Sequence, residues 1–324
     1  MKAYIPERVV TNQDLEALTG MPADVIESRT GLIERRYAAA DETPTDMGVK
    51  AALQVFQEMN IPRSEIDLVI SACISRDQYL PTDAMIYAHK LGLPRVRCLD
   101  INEACVSYLS ALEVTNLYIK SKSVRNVLIL TSEKSSSVLN YKDPGASVIF
   151  GDCAAATLIT PSDDGASRIE YSYLETNALG KAIDLVEVKG GGLKHLPNDP
   201  TTTPEMNLFH MRGHEIFRLA LQNMPRLVET VLKGAGLSMK DIDYIIPHQV
   251  NPRTLLAIVN RAMKNSRFPA DRVHMDRLLG NTAAATFPTA LAQAVASSLI
   301  KRGDRVMLIG GGVGFTIAGV ILTY

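Results

Sequence analysis

The sequence has little net charge, little cysteine and no long uninterrupted apolar run. Its 34 lysines and arginines nearly balance 35 aspartates and glutamates, for a formal net charge of −1, so a chain-wide basic field for nucleic acid is absent. The 4 cysteines, Cys73, Cys98, Cys105 and Cys153, form no C-x-x-C pair, and we expect neither a disulfide framework nor a cysteine zinc site. With 46% hydrophobic and 21% charged residues, the composition is typical of a folded chain.

No segment has the pattern of an export signal or a membrane span. Residues 1–15 have no apolar core of signal length, because Pro6, Glu7 and Arg8 interrupt them. The longest charge-free stretch near the C-terminus, residues 306–322, contains five glycines and falls short of the roughly 20 apolar residues of a spanning helix. We interpret it as two buried strands around a glycine turn, and we expect a cytoplasmic protein that binds neither membrane nor nucleic acid.

The chain contains a faint internal repeat. Residues 65–70 (EIDLVI) resemble residues 241–246 (DIDYII) at an offset of 176, and residues 124–131 (VRNVLILT) resemble 303–309 (GDRVMLI) at nearly the same offset. In each half an acidic turn leads into a β-branched run that is typical of a buried strand, and a helical pattern precedes it. The alternation of strands and helices indicates an α/β protein made of two similar halves.

The repeat predicts where functional groups meet. Position 105 maps near 281–282, so we expect Cys105 and Asn281 to be quasi-symmetric partners, each where an irregular segment opens a helix. His248 ends the strand IDYIIPHQ and should face the same place, because ligands gather at the carboxyl ends of strands and at helix N-termini. A cysteine at a helix start is also expected to favour the thiolate. Taken singly, each residue is weak evidence for a site, because a lone cysteine is more often a buried thiol, a histidine after a buried strand is more often structural, and an asparagine here could be a turn or cap residue.

The segments around these three residues resemble one family. A-C-V-S-Y-L-S-A-L around Cys105, I-P-H-Q-V-N around His248 and G-N-T-A-A-A-T around Asn281 are similar to the β-ketoacyl-acyl-carrier-protein synthase III family of thiolase-fold condensing enzymes. Further matches occur in family order over the whole chain, at residues 27–36, 150–156, 211–217 and 312–316.

The resemblance implies a thiolase-like α/β fold of two pseudo-symmetric halves, each a five-stranded sheet with helices, stacked in five layers (αβαβα). Residues 1–165 would form the half that carries the nucleophile, and residues 166–324 the half that carries His248 and Asn281. The family usually assembles as a homodimer. This architecture of two similar halves agrees with the internal repeat.

The resemblance also implies a mechanism. Cys105 would be acylated, with its backbone N–H contributing to an oxyanion hole. His248 and Asn281 would bind the malonyl thioester carbonyl and stabilise the enolate formed by decarboxylation, and that carbanion would attack the acyl group to give a β-keto thioester and CO₂. The implied setting is fatty-acid or specialised polyketide-like biosynthesis. The partners would be acyl carrier protein with acyl and malonyl thioesters, and no metal or redox cofactor would be needed.

The remaining site residues follow from the matching motifs. The resemblance implies a glycine loop at Gly312, Val313 and Gly314. It implies contacts to CoA or phosphopantetheine at Arg29, Gly213, Phe217 and Asn251. It implies a basic face for the acidic carrier protein at Arg253, Arg261 and Lys264; a solvated surface is the alternative for these three.

Several residues depart from the family pattern. Val25 and Pro144 stand where members that use acyl-CoA clamp the adenine with Trp and Arg, which favours a donor on a carrier protein or an unusual CoA ester. Glu103, two residues before Cys105, could be an auxiliary base for a second proton transfer or a structural carboxylate bonded to backbone amides.

Two other functions stay open at this point. The first is an acyltransferase that moves the Cys105-bound acyl group to an alcohol or amine. The second is a partner subunit that shapes the pocket of a heterodimeric ketosynthase. Asn281 favours condensation over acyl transfer to an alcohol or amine, because only the enolate needs a second hydrogen-bond donor. The presence of Cys105, His248 and Asn281 together argues against a silent subunit, which needs none of them. The primer and its chain length are not predicted.

Overall fold

Two β-sheets, one from each half of the chain, form the frame of the molecule. The computed structural model describes residues 1–162, 165–178, 180–263 and 268–324. The first half supplies β1 (Lys2–Tyr4), β2 (Arg8–Thr11), β3 (Glu34–Tyr37), β4 (Leu68–Ala72), β5 (Arg97–Ile101), β6 (Val127–Glu133) and β7 (Cys153–Ile159). The second half supplies β8 (Arg168–Thr176), β9 (Val186–Glu187), β10 (His210–Met211), β11 (Tyr244–Pro247), β12 (Arg305–Gly312) and β13 (Thr316–Thr323).

Helices cover both faces of each sheet. They are α1 (Asn12–Thr19), α2 (Ala23–Thr30), α3 (Pro44–Met59), α4 (Asp83–Lys90), α5 (Ser107–Lys120), α6 (Pro144–Ser147), α7 (Gly213–Ala235), α8 (Pro252–Ala262) and α9 (Thr286–Ala296). Local sequence sets their ends. In α3, Thr43 and Asp46 form a reciprocal capping box with Pro44 in the first turn, and Asn60 ends the helix in the left-handed conformation.

The two sheets share one strand order. The first runs β1-β7-β6-β4-β5 and the second runs β8-β13-β12-β11. In both, the repeated EID/DID strand is parallel to its neighbour, which is antiparallel to the next. The C-terminal stretch 306–322 forms two buried antiparallel strands, β12 and β13, as predicted. The expected fifth strand of the second sheet is wrong for the described residues, since a single parallel bridge from Ile245 to Val273 takes its place.

Three apolar clusters define five layers. Leu109 of α5 and Phe287 of α9 pack between the sheets against strand residues such as Ile70 and Leu308. On the outer face of the first sheet, α3 and α4 pack through residues such as Val55. Helices α7 and α8 cover the outer face of the second sheet in a third cluster. This helix, sheet, helix, sheet, helix order confirms the predicted αβαβα architecture.

The structure shows where the offset of the repeat changes. Strands β4 and β11 correspond at 176, but helices α5 and α9 begin at Ser107 and Thr286, an offset of 179. Hydrogen bonds agree with this shift, because the N–H of Asp67 donates to Asn126 while the N–H of Asp243 donates to Arg305. Three extra residues therefore lie between the corresponding strand and helix of the second half.

The shift corrects the expected pairing of Cys105 with Asn281. At an offset of 179, Asn281 corresponds to Asn102, and Cys105 corresponds to Ala284. In both halves the asparagine Oδ1 accepts the backbone N–H of an alanine two residues later, and both alanines, Ala104 and Ala283, have positive φ, 52° and 46°. The division of the chain at residue 165 stays a prediction. Among the described residues, no helix has the length and apolar character that crossing a bilayer requires.

Candidate active site

Cys105 lies in a tight turn between β5 and α5. Ala104, with φ of 52°, is in the left-handed region, which costs a residue with a side chain about 1–2 kcal/mol. Three local bonds hold the turn: Asn102 Oδ1 accepts the Ala104 N–H at 3.1 Å, and the Ser107 hydroxyl accepts the Glu103 N–H at 2.8 Å while donating to the Ala104 carbonyl at 2.6 Å. The backbone around Cys105 is therefore held by local hydrogen bonds.

The predicted glycine loop lies against this turn. Gly312 ends β12, and a Cβ built on it would lie 3.5 Å from the Cys105 nitrogen and 3.5 Å from the Glu103 carbonyl oxygen. Val313 and Gly314 connect β12 to β13, and the Gly314 φ of 119° is one that L side chains rarely adopt. A glycine at position 312 leaves free the space next to the Cys105 N–H, where an oxyanion would bind.

His248 is held at the carboxyl end of β11. Its N–H donates to the Ile309 carbonyl at 2.9 Å, and its ring packs edge-on against Phe287 at 5.9 Å between centroids. The neighbouring Gln249 side chain donates to the carbonyls of Pro247 and His274. Position 310 on β12 faces His248 and accepts only glycine, because a Cβ on Gly310 would lie 2.6 Å from the His248 Cβ.

Asn281 is paired like a strand with the segment before β7. Its N–H donates to the Ile149 carbonyl at 2.8 Å, and its carbonyl accepts the Gly151 N–H at 3.1 Å. The side-chain Oδ1 accepts the Ala283 N–H at 2.9 Å. With Oδ1 engaged by a donor, the amide offers its Nδ2 hydrogens, so Asn281 is set up as a hydrogen-bond donor.

Burial keeps the cysteine and the histidine neutral. Burial, with a smaller contribution from the charge of Glu133, raises the pKa of Cys105 to about 12. Burial lowers the pKa of His248 to about 4. The expected thiolate at Cys105 is therefore wrong, because desolvation outweighs the positive end of α5. The resting pair is a thiol and a neutral imidazole.

Alkylation of Cys105 should follow this raised pKa. We expect the rate of labelling by iodoacetamide to rise about tenfold per pH unit from pH 6.5 to 9.5, without levelling off, because the thiolate fraction is far from saturation. Peptide mass spectrometry of the Cys105 adduct measures the rate, with glutathione as the free-thiol reference. A plateau below pH 8 would show a stabilised thiolate and contradict the account.

An apolar cavity of about 90 Å³ opens beside His248 between α7 and α8. Phe217, Val250, Thr254 and Phe315 are among its lining residues, so the predicted substrate residue Phe217 lies on the wall that His248 shares. Its volume is a small fraction of a typical ligand pocket.

The other residues predicted to contact CoA or phosphopantetheine lie on α2, at the start of α7 and just before α8. Gly213 begins α7, and Arg29 is exposed in the last turn of α2. Asn251 caps α8 by accepting the Thr254 N–H at 2.8 Å, so its Oδ1 has a structural partner and its amide N–H₂ remains the polar group to offer a ligand.

Two of the predicted docking residues, Arg253 and Arg261, lie on α8. Arg253 is exposed, and its guanidinium donates to the Ser28 carbonyl of α2. Arg261 is exposed in the last turn of α8. Together α2 and α8 line an open groove of about 590 Å³ that includes Pro252 and Arg277. Lys264 lies outside the described residues.

The Glu103 carboxylate is bound by α5. Its carboxylate accepts a hydrogen bond from the Ser110 hydroxyl on α5, whereas the carboxylate that raises the Cys105 pKa is that of Glu133. The role of Glu103 as an auxiliary base stays a prediction.

Two buried charged residues near the site were missed at the sequence level. Glu133 ends β6 with only 1% of its surface exposed, and its signal is a carboxylate at the end of the apolar run VLILTSE. Arg35 is fully buried, donating to the Val148 carbonyl and to Asn12 Oδ1. Its side chain backs Gly280, next to Asn281. Within the described ranges, no group of three His, Cys, Asp or Glu side chains could hold a metal ion.

Comparisons with known proteins agree with this geometry. A family model described as 3-oxoacyl-[acyl-carrier-protein (ACP)] synthase III matches residues 99–178, and one for the C-terminal part of that synthase matches residues 232–324. The β-ketoacyl-[acyl-carrier-protein] synthase III of Fusobacterium nucleatum is 32% identical, over 100% of this chain and 97% of that protein.

Solved structures are similar over the same length. The 3-oxoacyl-[acyl-carrier-protein] synthase III of Aquifex aeolicus aligns with a TM-score of 0.88 and 31% identity, covering 100% of this chain and 98% of that one. The priming β-ketosynthase of the R1128 polyketide pathway aligns with a TM-score of 0.88 and 28% identity, covering 99% and 94%. These similarities confirm the predicted thiolase-like fold.

Proposed function

The chain belongs to the 3-oxoacyl-[acyl-carrier-protein] synthase III family of acyl-transferring condensing enzymes, and from that premise we propose how its own residues carry the reaction. An acyl thioester transfers its acyl group to Cys105 and releases the carrier thiol. A malonyl thioester then loses CO₂, and the resulting carbanion attacks the acyl-Cys105 carbonyl. The β-keto thioester leaves, and Cys105 recovers its proton.

Acylation uses a neutral thiol and a preformed oxyanion site. Because the resting Cys105 is protonated, its proton leaves as the sulfur attacks and is taken up by the departing thiolate of the carrier. The Cys105 N–H, beside the open space at Gly312, stabilises the oxyanion of the tetrahedral intermediate. Because the turn is already fixed, this donor needs no reorganisation during the reaction.

Decarboxylation uses two neutral donors. The imidazole of His248 and the amide of Asn281 would both bind the malonyl thioester carbonyl, which becomes the enolate oxygen when CO₂ leaves. Since neither donor carries charge, they bind the neutral ground state modestly and the developing anion strongly, which favours the transition state. The observation that carries the proposal is the engaged Oδ1 of Asn281, which leaves its amide to act as a donor.

That observation also separates the competing functions. Acyl transfer to an alcohol or amine needs the nucleophile, a base and one oxyanion hole, and it has no use for a second amide donor. A silent subunit needs none of the three residues. The supported setting is fatty-acid or polyketide biosynthesis, with acyl carrier protein as the partner; the primer stays undetermined at this level.

The donor class is tested by intact-protein mass spectrometry with a panel of acyl-CoAs and acyl-carrier proteins. We expect an acyl adduct on the wild type, formed faster from the carrier protein, because Val25 and Pro144 cannot stack on an adenine as an aromatic and an arginine would. If a simple acyl-CoA forms the adduct as fast as the acyl-carrier protein or faster, the proposed preference for a carrier-protein donor is wrong. No adduct from any donor would contradict the condensing function.

Charge reversal on α8 should weaken carrier-protein docking. The pair Arg253→Glu and Arg261→Glu places two negative charges where an acidic partner would bind, and we expect KM for malonyl-carrier protein to rise about tenfold. KM for a malonyl-pantetheine fragment should stay within twofold. Lys301→Glu, an exposed reversal elsewhere, is the matched control, and thermal unfolding checks that the contact of Arg253 with Ser28 was not essential to the fold. Equal effects on both substrates would contradict docking at α8.

The homodimer is also proposed rather than observed. Among the described residues, strand β5 pairs with β4 alone and leaves an open edge of the first sheet, which natural proteins cover. Leu80 and Tyr79, in the loop that precedes α4, are 72% and 58% exposed, and both would be buried by a second copy. Sedimentation should give twice the chain mass of 35.3 kDa, and a monomer at micromolar concentration would refute the proposal. The cytoplasmic location remains a prediction.

A further inference from the structure

Glu133 occupies the position in the first half that Gly312 occupies in the second. Glu133 is the last residue of β6 and pairs with Cys153, the first residue of β7. Gly312 is the last residue of β12 and pairs with Thr316, the first residue of β13. The two positions are 179 residues apart, which is the offset of α5 from α9.

Each of these strand ends faces an equivalent backbone N–H. A Cβ on Gly312 would lie 3.5 Å from the nitrogen of Cys105, two residues before α5 begins. Ala284 lies two residues before α9 begins, and its backbone N–H lowers the pKa of the Glu133 carboxyl, as a donor that faces the carboxylate does. The N–H beside the glycine is left for substrate, whereas its counterpart faces a carboxylate.

The other donors to Glu133 are symmetry counterparts of the substrate site as well. Its carboxylate accepts the N–H of Ile74 at 2.8 Å, and the N–H and hydroxyl of Ser75 at 3.0 Å and 2.8 Å. At the strand offset of 176, Ile74 and Ser75 correspond to Val250 and Asn251. Val250 lines the cavity beside His248, and Asn251 begins α8 at its mouth.

We propose that the Glu133 carboxylate is the permanent occupant of a second oxyanion hole, pseudo-symmetric to the one at Cys105, and that it positions the Asn281 turn. The carboxylate links three parts of the site: the end of β6, the loop after β4, and the turn that runs from Asn281 to α9. Ala284 is three residues from Asn281, and Ala283 between them binds the Asn281 Oδ1. Loss of the carboxylate would free this turn and so misplace the amide.

The hydrogen-bond donors around Glu133 match the two acceptor oxygens of a carboxylate. Three hydrogen bonds from Ile74 and Ser75 reach the two carboxylate oxygens of Glu133, which is itself 1% exposed, and the Ala284 N–H faces the same carboxylate. Without an acceptor, the backbone N–H groups of Ile74 and Ser75 would lose their partner, which is costly wherever water cannot replace it. A small planar anion such as formate has the same two oxygens and could replace the side chain.

The experiment removes the side chain and restores the anion. Glu133→Gly, which copies Gly312, is compared with wild type in sodium formate and in sodium chloride at matched ionic strength. We expect formate to raise the Tm of the variant by about 3 °C and to leave the wild type unchanged. Glu113→Gln, which alters a carboxylate that binds Ser172 from α5, is the matched control and should show no response to formate.

A second readout tests positioning, and it rests on the proposed function. Without formate, Glu133→Gly should form the Cys105 acyl adduct at a rate within about fivefold of wild type, while malonyl decarboxylation falls about 100-fold. Formate should restore at least part of the loss. An equal loss in both half-reactions would indicate a merely structural role and overturn the positioning claim.

The two claims fail in distinguishable ways. If wild type forms neither adduct nor CO₂, the proposed function is wrong, but the formate response of Tm still decides whether the second hole exists. If Glu133→Gly does not fold even in formate, Glu133→Gln decides instead, because its amide nitrogen cannot accept from the N–H donors. It should lose decarboxylation selectively, and unchanged kinetics in that variant would overturn the proposal.

Discussion

Cys105→Ala should abolish the acyl adduct and lower condensation at least about 10⁴-fold. The reason is that the variant keeps the oxyanion site and the two donors but has no atom that can hold the acyl group between the half-reactions. Intact-protein mass spectrometry measures the adduct, and production of β-keto thioester measures condensation. The loss should be the same for every donor that acylates the wild type.

Cys153→Ala is the matched control for this variant. Cys153 is buried, and its sulfur contacts the Thr289 hydroxyl at 2.9 Å, but it lies at the start of β7 instead of in the turn before α5. We expect it to keep the adduct and condensation within about threefold of wild type, since only a small void is created. An adduct that persists in Cys105→Ala and disappears in Cys153→Ala would overturn the assignment of the nucleophile.

Asn281→Asp should separate the two half-reactions. An aspartate keeps an oxygen for the Ala283 N–H but replaces the donor Nδ2 with a second acceptor, which would repel the enolate. We expect the acyl adduct on Cys105 to form at a rate near that of wild type, while decarboxylation of the malonyl thioester falls about 10²–10³-fold. His248→Ala should give a loss of similar size, because it removes the other donor.

The contrasting outcome would be an equal loss of acylation and decarboxylation. In that case Asn281 would be a structural residue of the segment that pairs with Ile149 and Gly151 rather than a donor to the enolate. Asn223→Ala controls for loss of a half-buried amide, since the Asn223 side chain donates to the Leu219 carbonyl within α7. It should leave both rates within twofold of wild type.

Most strands and helices of the fold could be predicted from local sequence patterns. The apolar runs after the EID and DID turns are β4 and β11, and the glycine-rich C-terminus is β12 and β13. These elements were predictable because each is buried and has its own hydrophobic pattern. The second sequence match already has an offset of 179, but the sequence did not show that the change falls between β4 and α5, because loop residues carry no periodic pattern. For that reason Asn281 was paired with Cys105 instead of Asn102.

The electrostatics of the site depended on tertiary burial. A position before a helix suggested a thiolate at Cys105, but the pKa is set first by burial and then by Glu133, which is 28 residues away in sequence. The partners of Glu133 in turn come from Ile74, Ser75 and Ala284. Such contacts between distant segments are invisible in a single sequence, even where the charged residue itself stands out at the end of an apolar strand.

The central claim is that Cys105, His248 and Asn281 carry out one decarboxylative condensation. Its most direct test supplies acylated enzyme with malonyl-carrier protein labelled at the free carboxyl carbon, and measures labelled CO₂ and β-keto thioester in the same reaction. The account predicts one CO₂ for each β-keto thioester, with Cys105 returned to the free thiol. Loss of the acyl group from Cys105 to another acceptor without release of CO₂ would contradict it.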